Sequence, residues 1–387
     1  MSSENRSRQE PLQSGVLERE VTALELFFDL VFVLAVGQLT HHLVGHPGWR
    51  GGAETLVLLV AVLGVWAFTS FEVTLLDVER PAIRALIVGV MGVGLFMNAG
   101  ISAAFGDGPW LFVGPMLAAL VVPGIWAAVA APRPELRGHF RRVLGWIALS
   151  APLWVVGALA EPGIRLWWWA SAALLDLLGT WLAHPVPRRK TRTENLPFDA
   201  IHMIERMRLF LIILLGESLL SIGRVLSESP NHRLTQALSL GAFLAVVALW
   251  VLYFGRGEAA VLQNVSRTQD PIHAVHLGIN VLYGVMFGLI LFAAGAELVI
   301  GHSAGKSAGV GGVLTLVGPA LYLLSQAVYF RATSGVAWVP RVVGVGGLVG
   351  LAIPAYSQPA PFSVGALVVV LVVLAAHQSR RGAHAGP

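Results

Sequence analysis

Cysteine is missing from the 387 residues, and charge is scarce. The first absence excludes disulfide scaffolds, zinc–thiolate sites, iron–sulfur clusters and cysteine nucleophiles. The second excludes an ordinary soluble enzyme. Charged residues make up 12% of the chain, against about 25% in a soluble domain, too few to cover the surface of a soluble protein this long. Nucleotide-binding loops, dinucleotide fingerprints, G-x-S-x-G elbows and H-E-x-x-H motifs are also missing. ATP-driven transport by this chain alone therefore has no sequence support. No pattern specifies a cofactor. The net charge of +4 is not accompanied by an extended basic and aromatic stretch, so no nucleic-acid partner is expected.

What is present is apolar sequence. Hydrophobic residues make up 56% of the chain and mean hydropathy is +0.72, which identifies lipid as the solvent. A membrane-spanning helix needs about 20 mostly apolar residues. Twelve stretches qualify: 23–43, 55–75, 84–106, 110–131, 142–160, 166–186, 204–224, 236–255, 277–300, 309–330, 341–357 and 361–377. The expected fold is an all-α polytopic membrane protein. Residues 1–20 are polar, without the apolar core of a signal peptide, and read as a disordered cytoplasmic arm. A first transmembrane half, 21–186, is followed by a polar cytoplasmic linker, 187–203. A second half, 204–377, and a cytoplasmic tail, 378–387, complete the chain. Small residues such as Gly89, Gly92, Gly94, Gly344, Gly346 and Gly347 are candidates for close helix approach.

The cations test this topology. Assigning each Lys and Arg to its nearest loop or helix end puts 21 of the 26 on the side of the N-terminus and 5 on the other. The minority are Arg50, Arg165, Arg224, Arg233 and Lys306. Cytoplasmic loops carry the excess of Lys and Arg, so both termini are expected in the cytoplasm.

Ionisable groups inside apolar spans are costly, and they usually face the bundle interior or a pathway. Two helices hold most of them. The first contains Glu25, Asp29, Gln38, Thr40, His41 and His42. Glu25 and Asp29 are four residues apart and share a face; their repulsion calls for a proton or for a cation between them. The seventh contains His202, Glu205, Arg206, Glu217, Ser218, Ser221 and Arg224. His202, Arg206, Glu217, Ser221 and Arg224 fall on one side of a 3.6-residue helix. Glu217 lies about 16 Å of rise from Arg206 and must find a partner elsewhere. His202 and Glu205 are spaced to share a metal, but one such pair is not specific, and an interfacial ion-pair network is the preferred reading. Glu72 and Asp176 are the strongest isolated candidates. Asn98, His276, Asn280, Glu297 and Gln326 read as packing residues. The first and seventh helices also echo one another, with Glu25 before Gly37-Gln38 and Glu205 before Gly216-Glu217. The echo suggests a six-plus-six repeat.

The run Glu25-Leu-Phe-Phe-Asp29-Leu-Val-Phe-Val with Gln38-Leu-Thr-His41 resembles the opening signature of the bacterial low temperature requirement protein A family. His202-x-x-Glu205-Arg206, followed by the apolar run to Gly216-Glu217-Ser218, resembles its second signature. The resemblance implies a polytopic bacterial membrane protein with Glu25, Asp29, Gln38, His41, His202, Glu205, Arg206, Glu217 and Ser218 at the family-pattern positions. It implies little mechanism, since the family is named for a growth phenotype.

Three functions remain open. A proton- or ion-coupled transporter of a small-molecule or ion substrate would use Asp29 and Glu217 as coupling acids and Arg206 as counter-ion. The wider pathway set is Glu25, Asp29, Gln38, His41, Glu72, His202, Glu205, Arg206, Glu217, Ser218 and Ser221. An intramembrane enzyme would hold a magnesium–diphosphate of a lipid or isoprenoid with carboxylates at the cytoplasmic end. A structural or sensory protein would use the polar network only to set helix register.

Overall fold

The computed structural model describes residues 21–75, 80–182, 184, 199–228, 232–255, 271–303 and 305–383. Among these, twelve long α-helices and one 3₁₀ turn form the fold, and no strand occurs. The helices are α1 (Ala23–Gly45), α2 (Trp49–Leu75), α3 (Pro81–Ala99), α4 (Pro109–Ala130), α5 (Pro134–Leu159) and α6 (Pro162–Trp181), then α7 (Ala200–Glu228), α8 (Arg233–Tyr253), α9 (Pro271–Gly301), α10 (Gly309–Thr333), α11 (Trp338–Ala355) and α12 (Ala360–Ala383). One helix falls on each of the twelve apolar stretches. Eleven are long and apolar enough to cross a membrane. The exception is α6, which carries Arg165, Asp176 and four tryptophans. The expected arm at 1–20 and most of the expected linker at 187–203 lie outside the described residues.

Local chemistry explains several helix starts. Proline opens α3, α4, α5 and α6, where its fixed φ suits the first turn and its missing N–H is not needed. Thr22 caps α1 through a capping box with Glu25. Many large apolar side chains remain exposed, among them Phe27, Leu30, Val129, Leu220 and Ile353. In a chain of this composition that surface faces lipid.

The two halves share a neighbour order. In the first, α1 packs on α2 and α3, α3 on α4, α4 on α5, α5 on α6, and α6 returns to α2. In the second, α7 packs on α8 and α9, α9 on α10, α10 on α11, α11 on α12, and α12 returns to α8. The halves meet chiefly where α1 and α2 touch α7 and α9. This seam is not two-fold symmetric: α1 packs extensively on α9, with no comparable contact between α7 and α3.

Close approach occurs at two of the six expected glycines and at others not singled out. A Cβ on Gly89, Gly92, Gly346 or Gly347 would meet nothing within 4 Å, whereas Gly94 rests on Phe32 and Gly344 on Leu374. The tightest crossing is α9 on α10, where a Cβ on Gly288 would lie 2.7 Å from the Gly318 carbonyl and one on Gly318 would lie 2.5 Å from the Phe292 nitrogen. Glycines in an apolar helix mark a contact only where the neighbour arrives, and helix spacing alone does not say where that is.

Two arginines counted above as loop cations are buried clamps. Arg165 donates to the carbonyls of Gly157, Ala104, Gly106 and Ala160. Arg341 donates to Gln326 and to the carbonyls of Ala337 and Leu252. Each satisfies helix-terminal carbonyls that lipid would leave unpaired.

Candidate functional site

The seam between halves is built on α1 and α7, which run parallel. Contacts between them advance in step along both helices, from Glu25 with His202, through Asp29 with Arg206, to Gly37 with Glu217. Every third or fourth residue of an apolar helix returns to one side, and near both ends of the two helices that side carries polar groups.

At the first end the polar groups are sealed. Glu25, Asp29, His202 and Arg206 are each at most 2% exposed. Glu25 Oε1 lies 2.8 Å from His202 Nε2, while Glu25 Oε2 accepts from Thr22 within the capping box. Arg206 Nη2 donates to Asp29 Oδ1 at 2.7 Å, and Arg206 Nη1 stands 3.9 Å from Glu25 Oε1. The cation required between the two acids is therefore Arg206, supplied by the other half. Trp66 of α2 adds a third helix by donating from Nε1 to Asp29 Oδ1 at 2.7 Å. Its ring stacks on Phe210, and the Arg206 guanidinium lies within 6 Å of the Trp66 and Phe28 rings, in cation–π range. Satisfaction is nevertheless incomplete: Asp29 Oδ2 and Arg206 Nε and Nη1 are buried without a hydrogen-bond partner.

Between the two polar ends the helices carry apolar residues, with Phe32, Val33 and Val36 of α1 and Leu211 and Leu214 of α7 all buried. Eight residues and about 12 Å of rise past Asp29, the second polar end is open. Glu217, Gln38, His41 and Arg224 line a concavity of about 450 Å³ together with Leu34, Gly37 and Ser102. Gly37 is the residue that admits Glu217, since a Cβ there would lie 2.5 Å from its Oε1. Glu297 of α9 lies near enough to Arg224 and His41 for their charges to act on it. Glu217 and Gln38 are partly exposed and His41 and Arg224 exposed.

The remaining predicted residues separate. Glu205 is exposed, turned away from His202; those two do not form a metal pair, because His202 points to Glu25. Ser218 and Ser221 are buried, and the Ser218 hydroxyl returns to the Leu214 carbonyl of its own helix. Glu72 lies in α2, but its side chain is outside the described residues. His42 is buried against Glu54 at 3.2 Å, and Glu54 also accepts from Arg50 at 2.9 Å. Asn98 and Gln326 serve packing, through the Val31 carbonyl and Arg341 respectively. Trp66 was not legible as a site residue, since a tryptophan in an apolar helix reads as core or as membrane belt. The capping box was legible, because Thr22 and Glu25 have the spacing it requires.

Among the described residues no group of three His, Asp or Glu converges as metal ligands. What the arrangement offers is exchangeable charge: Glu25, Asp29, His202 and Arg206 at one end of the α1–α7 pair, and Glu217, His41 and Arg224 with Glu297 of α9 at the other.

Comparison with known proteins places these residues in a family. Residues 20–376 match the family described as "Bacterial low temperature requirement A protein (LtrA)". An uncharacterized protein of Rhizobium meliloti (strain 1021) is 29% identical over 356 residues, covering 91% of this chain and 87% of that protein. The match spans both polar helices and eleven of the twelve helices in full, and the chain is a multi-pass membrane protein belonging to the bacterial low temperature requirement A family.

Proposed function

We propose that the protein is a proton- or ion-coupled transporter whose coupling groups lie along the α1–α7 seam. One observation carries this reading: the acids of one half are paired with an arginine and a histidine of the other. In the arrangement described, Arg206 holds Asp29 and draws the halves together at the Glu25 end. A proton or small cation taken up by Asp29 removes the attraction that Arg206 satisfies. The seam then loosens at that end, while the Glu217 end keeps its own acids and cation. Alternate loosening at the two ends is the expected basis of exchange across the intervening apolar residues. The incomplete satisfaction of Asp29 and Arg206 favours a site that changes partners over a finished structural pair. The recurring neighbour order supports a duplicated six-helix unit. The cation excess supports a cytoplasmic position for both termini, and with them the Glu25 end.

The enzyme reading has less support. It needs carboxylates gathered to hold a metal–diphosphate, and Glu205 faces away from the buried cluster. Reconstitution decides the matter. Purified protein in liposomes should relax an imposed pH or sodium gradient, and Asp29→Asn or Glu217→Gln should reduce that flux at least ten-fold. Equal flux in empty liposomes and in those holding the wild type would sink the proposal.

A further inference from the structure

A second cavity lies away from the α1–α7 seam, among α2, α4, α5, α6 and α9. It holds about 120 Å³ and is lined mostly by apolar side chains. Three histidines, His139, His184 and His276, come from three separate segments to its wall. Phe71 lies between two of them, its ring 5.5 Å from His139 and 6.1 Å from His276. Trp146 lies 6.3 Å from His184. Asp176 of α6 also lines the cavity, with its Oδ2 accepting from Trp154 at 2.9 Å.

Asp176 is the group that demands an explanation. A carboxylate within a lipid-embedded bundle needs a proton or a cation, and its partners here are the neutral Trp154 indole and Ser150 hydroxyl. Among the described residues no lysine or arginine lines the cavity, and Asp176 makes no ion pair. The walls supply Phe68, Phe71, Trp146 and Tyr283, rings whose faces attract cations. An apolar pocket with a few convergent polar groups is the usual form of a small-molecule site. Its size is near that of an apolar cavity that takes up benzene.

We propose that this cavity binds a small lipophilic ammonium compound, with Asp176 as counter-charge and the aromatic side chains around its organic body. Binding requires no movement across the membrane, so this proposal stands or falls separately from coupled transport at the seam.

The test uses the full chain in lipid nanodiscs at pH 7, with empty discs subtracted. Benzylammonium is the probe, and benzyl alcohol is its uncharged counterpart of the same shape. Saturable benzylammonium binding at least ten-fold tighter than benzyl alcohol is expected. Asp176→Asn should abolish that preference while its amide oxygen keeps the Trp154 bond, and thermal unfolding reports whether the fold survives. Phe71→Leu should weaken the ammonium several-fold and leave the alcohol nearly unchanged. If Asp176→Asn does not fold, Phe71→Leu decides alone, and equal loss for both probes overturns the proposal. No saturable binding to wild type, equal affinity for the two probes, or an unchanged preference in a folded Asp176→Asn protein would also overturn it.

Discussion

The two ends of the α1–α7 pair hold the same chemical inventory in opposite states. At one end Glu25 and Asp29 meet His202 and Arg206, and all four are buried. At the other, Glu217 and Glu297 of α9 lie near His41 and Arg224 beside an open concavity. What differs is the source of the groups and the solvent they see. At the sealed end one helix supplies both acids and the other both bases, so packing the helices pairs the charges. At the open end α7 carries Glu217 and Arg224 itself, seven residues apart and about 10 Å in rise, too far for close pairing. Charge inventory thus does not set the character of a membrane site; the division of that inventory between helices does.

The largest expected effect comes from removing the cation at the sealed end. Arg206→Leu leaves Asp29 buried without its counter-charge. Breaking a buried pair from one side costs about 3–5 kcal/mol, so thermal unfolding in nanodiscs should show a marked drop. Adding Asp29→Asn to that variant should recover much of the loss, because the orphaned charge is then gone. A double variant as unstable as the single would mean that Arg206 acts through packing on Phe28 and Trp66 instead.

Trp66→Phe is the next step down. It keeps a stacking ring against Phe210 but removes a hydrogen bond to a carboxylate, worth about 1.5–3 kcal/mol. The same unfolding measurement checks it, and Asp29→Asn should shrink the effect.

The open end should respond in flux before it responds in stability. Gly37→Val places side-chain atoms where the Glu217 carboxylate now lies. The carboxylate is the far end of a flexible side chain and swings aside, so unfolding should move by less than about 1 kcal/mol, while gradient-driven flux falls severalfold. Equal losses of fold and flux would erase the contrast between the two ends.

Glu205→Gln should do least. It sits one residue from Arg206 but is exposed, and surface changes of this kind stay within about 0.5 kcal/mol. A flux loss as large as that of Asp29→Asn would place Glu205 in the pathway after all.

Much of the fold was legible in the sequence, for a simple reason. A lipid-exposed backbone must pair its own N–H and C=O groups, which leaves few conformations open to an apolar stretch of 20 residues. Proline and Thr22 then mark where some of those helices begin. The site was legible in part. Asp29, Arg206 and Glu217 stood out because charge inside apolar sequence is costly, and the demand for a cation between Glu25 and Asp29 followed from their spacing. Trp66 did not stand out, because its role depends on α2 reaching α1 thirty-seven residues away. Spacing along one helix allowed a metal pair of His202 with Glu205, set behind an ion-pair network, and the actual partner, Glu25, lay on another helix. The cavity around Asp176 was equally hidden, since its three histidines come from three distant segments.

By itself the sequence determined that this protein is a bundle of apolar helices, where each helix falls, and which few positions carry a charge that must be answered. Helical periodicity relates residues only to their own axis. The tertiary structure decided which helix answers which charge: that Arg206 serves Asp29, that Glu217 meets Gly37 beside an open concavity, and that Asp176 lines an aromatic pocket with no lysine or arginine among its described lining residues. Those outcomes depend on the rotation and contact of whole helices, set by packing across the entire bundle.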